Sequence, residues 1–139
     1  MERLMLKPIR LHEAEAFLTA RDESLDVVYR CEFSVGCYAS RTLVGAAVVD
    51  RPRTNWLDDG WTLELSRISA LDRAVETKLV AGATQAAFAL GTRRMLAYRL
   101  AEPEGASYRA AGWTRIECVE RRWERYNLAS LDDLRKEAA

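Results

Sequence analysis

Apolar residues recur along this chain with two periods, one of strands and one of helices, and the switches between them divide it into elements. In "RLMLKPI", Leu4, Leu6 and, past Pro8, Ile9 alternate with other positions. That predicts a first strand, which Pro8, lacking an amide proton, keeps at an edge. "LHEAEAFLTARD" sets Leu11, Ala14, Phe17 and Leu18 at helical spacing and turns His12, Glu13, Glu15 and Arg21 outward. "RDESLDVV" reads as a turn or one loose helical turn. "YRCEFSVGCYA" and "RTLVGAAVVDRP" read as a hairpin with its polar tip at Ser40, and Gly45 marks a close backbone approach or a bulge. After the turn-rich "RPRTNWLDDG", strict alternation in "WTLELSRIS" puts Trp61, Leu63, Leu65 and Arg67 on one face. Thr62, Glu64, Ser66 and Ile68 take the other, so this is a central strand with a polar face toward a cleft.

"AVETKLVAGATQAAFAL" carries Val75, Leu79, Ala83, Ala87 and Leu90 along one stripe and stops at Gly91, a residue suited to end a helix. A strand follows in "RRMLAYRLA", then a short helix in "GASYRAAGW", with Gly112 as its stop and Trp113 as a core anchor. "WTRIECVERRWERY" supplies one or two last strands, and "SLDDLRKEAA" a terminal helix capped by Ser130, or a frayed end, over 130–139. The order is β-α-β-β-β-α-β-α-β, a mixed α/β domain over 1–139 with one sheet and helices on its faces.

Composition narrows what such a domain can do. The chain has 139 residues, 49% hydrophobic and 30% charged, enough for one core and unlike a disordered chain. No apolar run approaches the roughly 18 residues of a membrane span, and "MERLMLKPIR" lacks the apolar core of a signal peptide. A cytoplasmic protein without a membrane partner is expected. Basic and acidic residues balance at 21 each, which weighs against nucleic acid. Even so, Arg93, Arg94, Arg99, Arg109, Arg115, Arg121, Arg122 and Arg125 gather in the C-terminal half. Cys31, Cys37 and Cys118 with the single His12 have no metal-ligand spacing, so no metal site is expected, and Cys31 and Cys37 read as small buried apolar residues.

Three stretches, "RTLVGAAVVDRP", "DDGWTLELSRI" and "GASYRAAGW", together with the element order, resemble the GNAT acetyltransferase superfamily. More narrowly they resemble a group of GNAT-like proteins often encoded by phages and prophages. The resemblance implies a central mixed, mostly antiparallel sheet flanked by helices. It also implies transfer of an acetyl group from acetyl-coenzyme A to an amine, with the acyl arm lying between the fourth and fifth strands. Tyr108 matches the superfamily tyrosine, followed by Gly112 and Trp113, that often protonates the departing thiolate. Glu64 on the fourth strand is the candidate base. Cofactor contacts fall to Ser69, Arg73, Ala74 and Thr77, with Lys78 in reach of phosphates.

One segment departs from the pattern. GNAT enzymes usually cradle the pyrophosphate with glycines leading into the long helix, and in "LDRAVET" Ala74 and Glu76 stand at those places. Asp72 and Glu76 are suited to cap the helix themselves, which weighs against cofactor binding. Two further functions therefore stay open. One is a GNAT-like protein without catalysis that binds a host or viral macromolecule through Arg51, Arg53, Trp56 and Trp61 of "RPRTNWLDDGW". The other is modification of a nucleic-acid base. The acyl acceptor is not readable from the sequence, and a homodimer through "ECVERRWERY" is a further expectation.

Overall fold

A computed structural model describes residues 3–21, 31–98, 105–115 and 122–126. Strand β1 (Leu4–Pro8) leads to helix α1 (Leu11–Arg21), then the hairpin β2 (Phe33–Ala39) and β3 (Thr42–Asp50). A 3-10 turn (Asn55–Leu57) precedes β4 (Thr62–Ala70), α2 (Arg73–Ala89), β5 (Arg94–Tyr98) and α3 (Ala106–Ala110). The last described elements are β6 (Thr114–Arg115) and β7 (Arg122–Tyr126), two strands where one or two were expected. The expected "RDESLDVV" turn, apart from Arg21, and the 130–139 helix lie outside the described residues, as does Cys118.

The seven strands of the described residues form one sheet in the order β1-β2-β3-β4-β5-β7-β6, antiparallel except between β4 and β5. Pro8 lies on the edge strand β1, where its missing N–H costs no ladder bond. Of the segment read as a dimer edge, residues 117–121 lie outside the described residues. β7 pairs with β5 along Arg122–Tyr126 and with β6 at Trp123 and Glu124.

Two apolar layers cover the sheet. Beneath one face, α2 and α3 close the larger core, in which Val49, Leu65, Leu79, Ala83, Met95, Tyr108 and Trp123 are buried. Above the other, Ala14 and Leu18 of α1 pack on Ala46 and Val48 of β3. The α2 stripe is as expected at Val75, Leu79, Ala83 and Ala87, but Leu90 is 74% exposed. Leu90 sits at the helix C-cap, where the chain turns through Gly91 at φ +99° and the stripe no longer faces the sheet. Gly45 marks a close approach: a Cβ there would come within 2.6 Å of Val75 Cγ1 and 2.7 Å of Leu79 Cδ1, so α2 lies directly on β3.

Candidate functional site

β4 and β5 run side by side for only three residue pairs, Thr62 with Arg94, Leu63 with Met95 and Glu64 with Leu96. Beyond them β4 continues to Ala70 against β3 alone, so among the described residues its outer edge from Leu65 onward has no strand partner. Glu64 is thus the last residue of β4 held to β5. It faces the α1 side, opposite Asp50, and is 1% exposed. Its charge is met by Arg53 from the loop after β3. The Arg53 backbone N–H donates to Oε1 at 3.1 Å, and Arg53 Nε donates to Oε2 at 2.8 Å. The rest of the Arg53 side chain is 63% exposed and its guanidinium lies 5.3 Å from the centre of the Tyr98 ring. Glu64 is therefore neither at the solvent surface nor the partner of Arg67.

The alternation expected along β4 fails after Leu65. Val48 and Val49 of β3 are adjacent, yet they face Arg67 and Leu65, so Ser66 is an extra residue, a β-bulge. The Ser66 hydroxyl donates to the Val48 carbonyl at 3.1 Å. The bulge moves Arg67 to the face of Glu64 and returns Ile68 to the α2 core, where Leu63 and Leu65 pack. On the Glu64 face the same row continues across Leu96 to Glu124 of β7, which is 4% exposed. Arg94 Nη1 and Arg122 Nε each lie 3.5 Å from Glu124, and Tyr126 donates its hydroxyl at 3.1 Å. Arg67 is half-buried and has no hydrogen bond or ion pair among the described residues.

At the far end of β4 the chain turns through Leu71 and Asp72 into α2. Asp72 caps the helix, accepting from the Val75 N–H at 2.9 Å, as its position before the helix leads one to expect. The N–H groups of Arg73 and Ala74 have no partner among the described residues, and both residues are exposed, as is Lys78. Thr77 donates its hydroxyl to Ser107 of α3 at 3.2 Å. Ser69 is already engaged, its hydroxyl accepting from Arg21 Nε at 2.6 Å while Arg21 Nη2 donates to the Ala70 carbonyl at 2.9 Å.

Tyr108 lies in the α2-side core with no exposed surface. The Trp113 N–H donates to the Tyr108 carbonyl at 2.9 Å and the Gly112 N–H to the Arg109 carbonyl at 3.0 Å. Gly112 has φ +87°. These are the paired bonds of a Schellman helix end, and the apolar contact that accompanies it is the edge-on packing of Tyr108 on Trp113, ring centres 5.1 Å apart. Trp123 covers the other side of the Tyr108 ring, 6.3 Å away. The spacing Tyr-x-x-x-Gly-Trp thus has a complete structural cause whatever else Tyr108 does.

The described structure brings Glu64, Arg53, Tyr98 and Arg67 to one face where β4 and β5 part, and places Tyr108 beneath the other face. It does not bring Glu64 and Tyr108 into contact. The sequence reading puts Arg53 among the anchors of a macromolecule-binding loop, not beside Glu64, and does not pick out Tyr98; the signal for Arg53 was a basic residue in the loop just before a strand carrying a buried glutamate. The C-terminal arginines are largely engaged: Arg94 and Arg122 at Glu124, Arg125 on the Ala111 and Tyr126 carbonyls, and Arg109 over Trp123. Arg99 and Arg121 lie outside the described residues, as does the Arg115 side chain. Cys37 is fully buried, and burial pushes its thiol up, with Asp72 adding to this and Lys78 opposing it. Burial likewise raises the Cys31 thiol, helped by Asp50 and Glu32. Among the described residues no cluster could hold a metal ion. A cavity of about 330 Å³ opens at the opposite end of the sheet from the α2 N-terminus, beside Glu32, Arg51, Asp58, Thr62 and Thr92.

The sequence matches no protein-family model and no curated protein. Its backbone does match solved structures. An acetyltransferase of Bacillus subtilis, in complex with CoA, superposes with a TM-score of 0.62 at 16% identity, over 91% of this chain and 99% of that one. The IAA acetyltransferase of Bacillus cereus gives 0.67 at 13%, over 90% and 100%. The chain has the GNAT fold. A GNAT family acetyltransferase of Brucella melitensis, in complex with acetyl-CoA, gives 0.65 at 9%, over 91% and 89%. At such identities the likeness is one of fold alone. No helix of the described residues is long and apolar enough to cross a membrane.

Proposed function

We propose that this chain is an N-acyltransferase that moves an acetyl group from acetyl-coenzyme A to an amine. The observation that carries the reading is the parting of β4 and β5 immediately after Glu64 and Leu96, with a buried carboxylate on one face and a buried tyrosine beneath the other. Acetyl-coenzyme A supplies, when bound, an acyl group activated as a thioester. An amine that takes it gives up one proton, and the sulfur it leaves needs one. Glu64 is the base on the acceptor face, once Arg53 yields its place. Tyr108 is the acid on the α2 side.

The residues fit the cofactor's arm better than its phosphates. The unpaired outer edge of β4 beyond Glu64 can pair with an extended arm. At the phosphate end, the N–H groups of Arg73 and Ala74 and the side chains of Arg73 and Lys78 would hold the anion. The Asp72 carboxylate already holds the third N–H and adds a like charge beside them. Calorimetric titration with acetyl-coenzyme A, followed by turnover with a panel of amines, tests the reading. Saturable binding, with turnover falling by at least a hundredfold in Tyr108→Phe while binding persists, supports it. Absence of binding at millimolar ligand sinks it.

That negative result would favour the second reading, a GNAT-fold protein that binds a macromolecule. Its specific support is the loop before β4. Trp56 is 84% exposed and Trp61 49% exposed, with the Arg93 guanidinium stacked 3.9 Å from the Trp61 ring. Exposed tryptophan and arginine together are what binding hot spots use. The narrower kinship with phage-encoded GNAT-like proteins rests on the three sequence stretches, and base modification is left with few unengaged arginines among the described residues.

A further inference from the structure

On the face that carries Glu64, one arginine has no carboxylate partner among the described residues. Around the β4–β5 divergence Arg53 is matched by Glu64, Arg94 reaches both Glu124 and Asp59, and Arg122 reaches Glu124, while Asp50 of β3 lies opposite Glu64. Arg67 is left over. It is a half-buried side chain on a strand at the middle of the sheet, with no hydrogen bond or ion pair among the described residues. Its guanidinium nitrogens are not buried, so the group is open to a ligand, and an anion there would gain a charge-assisted pair. The bulge at Ser66 is what creates the situation: without it Arg67 would point into the α2 core, and with it Arg67 stands beside Glu64 on one face.

Glu64 and Tyr98, in turn, show what a cation would meet there. The Arg53 guanidinium sits between the buried carboxylate and the aromatic ring, hydrogen-bonded to the first and 5.3 Å from the centre of the second. A carboxylate and an aromatic face are the two features that hold an organic cation. The Arg53 side chain comes in from a surface loop and is 63% exposed, so it can swing out toward solvent, leaving the Tyr98 ring to the incoming cation. The Arg53 backbone N–H would continue to orient Glu64 Oε1.

We propose that the acceptor bound on this face is a free amino acid, its ammonium replacing the Arg53 guanidinium between Glu64 and Tyr98 and its carboxylate pairing with Arg67. The two anchors are separated along β4 by one bulge-interrupted step, about 7 Å between Cα atoms, and both side chains are long enough to converge on groups as close as the two ends of an amino acid. Calling this molecule the acceptor rests on the acyltransferase reading; its binding does not.

The test therefore measures binding on the full chain without acetyl-coenzyme A. Ligand-observed NMR is run with the proteinogenic amino acids and with matched amines that lack the carboxylate, such as phenethylamine, histamine and cadaverine. At least one amino acid is expected to bind about tenfold to a hundredfold more tightly than its matched amine, the range of a charge-assisted bidentate pair. Arg67→Met should remove that preference while leaving the amine's weaker binding unchanged, and Arg67→Lys should keep part of it. Binding of no amino acid, equal binding of amine and amino acid, or a preference that survives in Arg67→Met overturns the proposal. The wild-type comparison decides even if a variant fails to fold. Amino acids that bind through Arg67 to a protein with no affinity for acetyl-coenzyme A would uphold this site and remove the acyltransferase reading alone.

Discussion

Substituting Asp72 by asparagine separates two roles that this residue combines at the start of α2. As a cap it satisfies the Val75 N–H at 2.9 Å. As a charge it stands in the same helical turn as the N–H groups of Arg73 and Ala74, the donors a diphosphate would use. Asparagine caps about as well as aspartate, so Asp72→Asn should hold the melting temperature to within a few degrees, whereas Asp72→Ala should lose about 1 kcal/mol. An anion seated on the neighbouring N–H groups would lie roughly 5 Å from the carboxylate. Two unit charges about 4 Å apart repel by ~1 kcal/mol in water and ~4 kcal/mol at an effective dielectric of 20. Asp72 is exposed, so the lower part of that range applies after screening, about 1–2 kcal/mol. The dissociation constant for acetyl-coenzyme A, measured by calorimetry, should therefore fall about fivefold to thirtyfold in Asp72→Asn, and the gain should shrink as salt is raised from 50 to 500 mM. An affinity changed by less than twofold, or a gain indifferent to salt, would refute the placement of the phosphates at this helix.

Four further outcomes follow from the same geometry. Gly112→Ala puts a Cβ at φ +87° and 3.0 Å from Arg125 Nε, and should cost about 1–2 kcal/mol in denaturant unfolding. Arg53→Ala leaves the Glu64 carboxylate buried without its cation; because that cation is 63% exposed, the loss in a chemical melt should be about 1–2 kcal/mol, below that of a fully buried pair, and Glu64→Gln in the same background should recover part of it. Burial opposes ionisation of Asp59, but hydrogen bonds from Trp61 and Thr62 and the nearby Arg94 outweigh it and hold its carboxyl below the usual range. Its stabilising contribution is therefore present above the ordinary aspartate range and lost as pH falls through the lowered value, and an NMR titration should place its midpoint below that of an unfolded-state aspartate. In a Cys31→Ser, Cys118→Ser background Cys37, fully buried and with its thiol raised, should react with a disulfide reagent only at the rate of opening of the fold, so that denaturant accelerates the reaction.

What the sequence made legible, and what it hid, is clearest on β4. Its place at the middle of the sheet and the inward position of Glu64 follow from "WTLELS" read at period two. The phase slip at Ser66 was also written there: apolar residues fall at 63, 65, 68 and 70, so Ile68 and Ala70 are out of step with Leu63 and Leu65, and keeping strict alternation forced an arginine onto an apolar face. A bulge is the cheapest way to resolve that conflict, since one extra residue turns both Arg67 and Ile68 to compatible surroundings. Partners across long sequence separations were not legible in this way. Nothing local tells that Arg53 closes on Glu64 or that Arg21 reaches Ser69, because these contacts depend on how the loop after β3 and the end of α1 come back over the sheet.

Tyr108 shows the opposite relation between pattern and role. Its spacing to Gly112 and Trp113 pointed to chemistry, yet each member of the motif is required by the helix end itself: Tyr108 and Trp113 as the apolar pair that closes it, Gly112 as the residue that tolerates positive φ. The same motif would persist in a GNAT-fold protein that had lost catalysis, because removing any member would loosen the packing of α3 on the core. The motif therefore reports the fold. On the reading proposed above, function rests instead on a buried glutamate at the last β4–β5 pair and on an arginine beside it that has no ion pair among the described residues. Any activity of this chain is more directly tested at Glu64 and Arg67 than at the tyrosine, since a loss in Tyr108→Ala would confound catalysis with a cavity costing about 3–5 kcal/mol.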